Sequence, residues 1–104
     1  MAWFFLAVAG VFEIIWAIGL KYSNGFTRLW PTALTLTAML FSFGFLAQAL
    51  RTIPVGTGYA VWTGIGAVGT AILGIILFAE PATWARIGCI LLIVSGILGL
   101  KLVS

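Results

Sequence analysis

Charge is what this sequence has least of. Two acidic and five basic side chains are all that 104 residues supply, 7% of the chain. Soluble domains carry about 25% charged residues, because a water-facing surface requires them. So few charges cannot cover a globule of this size. Histidine is absent, and the one cysteine, Cys89, stands in an apolar stretch. An intrachain disulfide is thereby excluded, and a metal centre has almost no ligands to draw on. The five cations are scattered singly with no basic run, which argues against nucleic acid as a partner. No nucleophile and general base stand together, so the chain reads as no enzyme, and nothing in it calls for a cofactor.

What is present is hydrophobic, 63% of all residues. Residues 2–20, 30–50, 55–79 and 84–100 are long apolar runs. Each is close to the ~20 residues that span a hydrocarbon core of about 30 Å. Between them lie KYSNGFTR (21–28), RTIP (51–54) and EPAT (80–83), short links holding Asn-Gly, with Pro31, Pro54 and Pro81 in or beside them. Turn residues and prolines at these places suit helix ends. The fold class expected is all-α integral membrane: one domain over 1–104, with four transmembrane helices. Short links make successive helices run in opposite directions. The first run is read as a helix and not as a cleaved leader, because no Lys or Arg precedes it and Glu13 interrupts it.

The charge balance bears on orientation. Lys21, Arg28 and Arg86 fall on one side of such an array, and Arg51 and Lys101 on the other. Three cations against two give the positive-inside rule almost nothing to read. The chain is therefore expected to insert both ways up and to pair as an antiparallel, dual-topology homodimer, the inverted symmetry that many transporters use. A single orientation set by an oppositely oriented partner subunit is the alternative. Gly88, Ser95 and Gly99 recur at spacings of seven and four on the last helix, a small-residue face suited to dimer contact.

The chemistry centres on one residue. Glu13 lies two residues from the middle of segment 2–20, about 3 Å along the axis at ~1.5 Å per residue. A charged side chain at that depth costs about 2.5–3.5 kcal/mol on insertion scales and marks a functional site by default. Its helical neighbours Ala9, Gly10, Trp16 and Ala17 make a small face with one aromatic donor. Tyr59, Trp62, Gly66 and Gly69, spaced three, four and three, share one side of the third helix. Trp62 lies well inside its segment, whereas Trp3, Trp30 and Trp84 stand at segment ends, as interfacial belt residues do. Gly64 and Gly66 are positioned to let that helix bend. Thr35 and Ser42, seven apart, form a hydroxyl stripe on the second helix, with Ser42 deep enough to hydrogen-bond a carboxylate. An acid, two indoles, a phenol and a hydroxyl inside a membrane make a cation site, with aromatic faces and a compensating carboxylate. The same carboxyl can instead take a proton. Release of one would then be tied to binding of the other.

The stretches GVFEIIWAIGLKYSNGFTRLWP (10–31), IPVGTGYAVWTGIGAVG (53–69) and GILGLK (96–101) resemble the small multidrug resistance transporters over nearly the whole chain. Within that family, WAIGLK (16–21) and VWTGIGAVG are similar to the guanidinium exporters more than to the quaternary-ammonium drug exporters. The resemblance implies an antiparallel dual-topology homodimer, multi-pass in the bacterial inner membrane, that moves guanidinium-type cations outward in exchange for protons. It implies that Glu13 binds substrate and proton by turns, with Trp16, Ser42, Tyr59 and Trp62 around it. Two features depart from the pattern: Gly58 where the family more often has alanine, and the bulky Phe41 and Phe43 flanking Ser42. The rival readings are a broad quaternary-ammonium/proton antiporter, a subunit of a heterodimeric exporter, a passive cation channel and a silent membrane subunit.

Overall fold

A computed structural model describes residues 1–103 as four helices. They are α1 (Ala2–Tyr22), α2 (Leu29–Ala49), α3 (Val55–Phe78) and α4 (Trp84–Val103). All four are long and apolar enough to cross a membrane. The helices outrun the apolar stretches at the start of α2, by Leu29 alone, and at the ends of α1 and α4. Tyr22 ends α1 and Val103 ends α4, so Lys21 and Lys101 stay helical. A lysine ends an apolar run without ending a helix, because its long stem lies along apolar surface. Here Lys21 Nζ lies 5.8 Å from the centroid of the Phe78 ring, and Lys101 Nζ 5.7 Å from that of Trp3. Those contacts place the end of α1 beside the end of α3, and the end of α4 beside the start of α1. The up-and-down array follows.

The link between α1 and α2 is held by its own side chains. Ser23 Oγ donates to the Leu20 carbonyl at 2.7 Å and accepts from the Phe26 N–H at 3.2 Å. Asn24, Gly25 and Phe26 all have positive φ, a left-handed run that glycine and asparagine enter most readily.

Packing centres on α1, which lies between α2 and α3, while the backbone of α4 approaches only α3. Leu6, Ala9, Leu46, Ala49, Ile53, Val61 and Trp62 form the buried cluster. Small residues set the α1–α3 distance. A Cβ at Gly10 would lie 2.8 Å from Ile65 Cβ, and a Cβ at Gly69 would run into the end of Ile14. Each helix thus offers a glycine notch to a branched side chain of the other. Gly64 serves α4 likewise, with Ile97 Cδ1 only 2.9 Å from where its Cβ would be. α3 runs unbroken past Gly64 and Gly66, so in this structure both glycines act as close-packing positions. α4 has no buried residue at all. On it Gly88 and Gly99 have open space where a side chain would stand, Ser95 is exposed, and its hydroxyl turns back to the Leu91 carbonyl at 2.8 Å.

Two glycine substitutions should therefore behave oppositely. Gly10→Ala forces a methyl against Ile65 and should cost about 1–3 kcal/mol. Gly44, with nothing within 4 Å, should accept alanine with a gain of up to about 1 kcal/mol from helix propensity. Thermal midpoints of the two purified variants in one detergent check this. Equal shifts would contradict the notch packing.

Candidate functional site

Glu13 reaches from the middle of α1 across to α3. Its carboxylate lies against Gly66, where any Cβ would collide with Oε1 and come 2.7 Å from Cγ. The glycine lets the acid in this position rest directly on the α3 backbone. Oε1 is buried, and among the described residues it has no hydrogen-bond partner. The same holds for Trp16 Nε1, one turn further along α1. Both residues line a groove of about 280 Å³ between α1 and α3. Ala17 completes the α1 wall, and Thr63, Gly66, Ala67 and Thr70 supply the α3 wall. Thr70 Oγ1 is a third buried polar atom in this groove with no hydrogen-bond partner among the described residues. An acid, an indole N–H and a hydroxyl thus share one small groove with hydrogen-bonding capacity unused. Buried polar groups are normally paired, and among the described residues these three are not.

Ser42 and Trp62 are adjacent to this groove and not part of its lining. Ser42 is fully buried, and its hydroxyl donates to the Ala9 carbonyl at 2.7 Å. It accepts from Trp62 Nε1 at 2.9 Å. Its donor is therefore taken by α1 one turn before Glu13, and the expected bond from Ser42 to the carboxylate is not made. This chain of bonds ties α3 to α2 and α2 to α1 at the level of the acid. Tyr59 is exposed, with its ring centroid 5.5 Å from that of Trp62; Phe43 flanks the same indole at 5.7 Å. Phe41 stacks instead on Phe12, at 5.4 Å. Gly58 is buried, with the end of Leu50 packed where its Cβ would stand. Reading the sequence passed over Thr63, Ala67 and Thr70. Their spacing with Gly66, at positions 63, 66, 67 and 70, is the one available signal: a small, hydroxyl-bearing helix face opposite an acid.

The buried bond from Trp62 to Ser42 gives a test of this bracing. Ser42→Ala strands the indole N–H and should cost about 1–3 kcal/mol, whereas removing both polar groups in Ser42→Ala/Trp62→Phe should cost less than the two single losses summed. Strict additivity in detergent melts would mean the bond contributes nothing.

Comparison with known proteins agrees with this architecture. Residues 1–98 match the family described as Small Multidrug Resistance protein. A protein of Yersinia pseudotuberculosis is 62% identical over 104 residues, the full length of both chains. One of Proteus vulgaris is 57% identical over 104 residues, again the full length of both. A third, of Citrobacter freundii, is 59% identical over 102 residues, 98% of this chain and 97% of its own. All three carry the name guanidinium exporter. With four membrane-spanning helices and a family match over almost its entire length, this multi-pass membrane protein belongs to the small multidrug resistance family.

Proposed function

We propose that the protein exports guanidinium and small substituted guanidinium ions in exchange for protons, as an antiparallel, dual-topology homodimer in the bacterial inner membrane. The observation that carries this reading is the buried, unpartnered Glu13 oxygen in a groove with no cation of its own. An ionised carboxylate at that depth is costly unless a charge compensates it. A guanidinium compensates it well, since its planar fork of N–H donors matches a carboxylate. A proton neutralises it too. The two therefore exclude one another, which couples their movements. The names of the full-length relatives support the substrate.

Shape supports the pairing. The chain measures 41 × 34 × 17 Å, a slab two helices thick, given helix diameters of about 10 Å. The groove at Glu13 is open on one side, and α4 leaves Gly88, Ser95 and Gly99 uncovered. A second copy inserted the other way up would cover both features, and three cations against two permit that insertion. Trp16, Ser42, Tyr59 and Trp62 then surround a pair of Glu13 carboxylates, Ser42 and Trp62 by holding the helix that carries each acid. Gly64 and Gly66 allow α3 to flex as access alternates.

Purified protein in liposomes should show guanidinium-driven proton flux. Glu13→Gln should abolish it while leaving the protein inserted. Guanidinium affinity should fall as pH is lowered, because a protonated carboxyl cannot balance a cation. Flux in the Glu13→Gln variant, or affinity that ignores pH between about 5 and 8, would overturn the exchange mechanism.

Selectivity should follow hydrogen bonding. Guanidinium and mono-alkyl guanidiniums donate N–H bonds to a carboxylate, whereas a quaternary ammonium has no donor and depends on aromatic contact alone. Transport currents for guanidinium, a mono-alkyl guanidinium, tetramethylammonium and a large aromatic ammonium should decline in that order. Equal currents for the aromatic ammonium would make this a broad drug antiporter instead.

A further inference from the structure

We propose that the α1–α3 groove continues from Glu13 to the membrane surface and ends at a second cation-binding carboxylate, Glu80, where a guanidinium docks outside the inner site. The inference rests on the exporter reading above and adds a site to it.

The groove at Glu13 does not stop at Thr70. Ala17, Ala67 and Thr70 also line a second cavity of about 400 Å³, which extends to Lys21, Phe78 and Glu80. Gly66, Thr70 and Gly74, four residues apart, run along α3 beneath both. Eight residues separate the two glycines, about 12 Å at ~1.5 Å per residue. Each glycine carries an acid. A Cβ at Gly74 would lie 2.7 Å from Glu80 Oε1 and 3.0 Å from Oε2, so this carboxylate rests on α3 as that of Glu13 rests at Gly66. The backbone puts it there: Ala79 has φ of 53°, and the Glu80 N–H returns to the Gly74 carbonyl at 3.3 Å.

The ligand class is already represented at this outer acid. Arg86 Nη2 donates to Glu80 Oε1 at 3.0 Å. Arg86 is held in the first turn of α4, where its N–H donates to Thr83 Oγ1 at 3.2 Å. A guanidinium thus sits on Glu80 in the resting chain, supplied by the protein itself. Both side chains are substantially exposed, at 38% and 43%, and exposed pairs are weak, so a guanidinium ion from solution can take the place of Arg86. Lys21 is the other charge at the mouth, with its ammonium on the Phe78 ring. It repels an arriving cation, and Glu80 offsets that repulsion. In an antiparallel pair, one such mouth opens at each face of the membrane.

The two members of the ion pair should then act in opposite directions. In proteoliposomes of the full chain, Glu80→Gln should raise the KM for guanidinium about three-fold or more with maximal proton flux little changed, and Arg86→Gln, which removes the internal competitor, should lower it. The double variant should resemble Glu80→Gln. Glu80→Asp, which keeps the charge, should fall between wild type and Glu80→Gln. At about 1 M salt, where screening acts within ~3 Å, the differences should shrink. A pair that merely fastens α4 would shift KM the same way from either side. That result, or a KM indifferent to Glu80 in protein whose wild type transports, would overturn the outer site and leave the exporter reading intact. Absence of guanidinium-driven flux in the wild type would overturn both.

Discussion

The contact on which the site depends is that between the Glu13 carboxylate and Gly66. A membrane helix can carry an acid only if something keeps it from the lipid, and here the shield is the bare backbone of the neighbouring helix. The notch does more than make room. It also brings the acid into the groove that Thr63 and Thr70 line on the same face of α3. Glycine and branched residue alternate along this seam, Gly10 beneath Ile65 and Gly69 beneath Ile14. The acid therefore occupies one position in a close-packed series, and its geometry is set by packing instead of by a polar partner.

The bonds through Ser42 hold that series in register. Helix association in lipid lacks the hydrophobic drive available in water, so interhelical hydrogen bonds and close contact carry more of the specificity. One hydroxyl that donates to α1 and accepts from α3 locks three helices with two bonds. The lock sits one turn from Glu13, near enough to hold its backbone and too far to satisfy its charge. α4 takes no part in it and touches only α3 with its backbone.

The helices were legible in the sequence because apolar length alone defines a membrane span. Their ends were less so: charge marks where lipid stops, and Lys21 and Lys101 remain helical beyond that point. Glu13 was legible for the same reason as the helices, being an exception in an apolar run. The role of Ser42 was not, since spacing places a hydroxyl on a face without saying which neighbour it will meet. Thr63 and Thr70 were missed because threonine in a membrane helix ordinarily bonds its own backbone. Only the packed structure leaves the Thr70 hydroxyl buried and unpaired.

The five cations all keep clear of Glu13. Lys21, Arg28, Arg51, Arg86 and Lys101 all stand at helix ends or in links, and none lies deep in an apolar stretch. An arginine placed opposite Glu13 would have neutralised it permanently, since breaking a buried pair is far costlier than never forming it. At Glu80 the chain does supply such a partner, Arg86, but at the surface, where water makes the pair weak. Two acids on two glycine notches of one helix thus differ in depth and in counter-charge. The deep one has no Lys or Arg in the groove it lines, and on the exporter reading proposed above its neutrality comes from outside, from a cation or a proton.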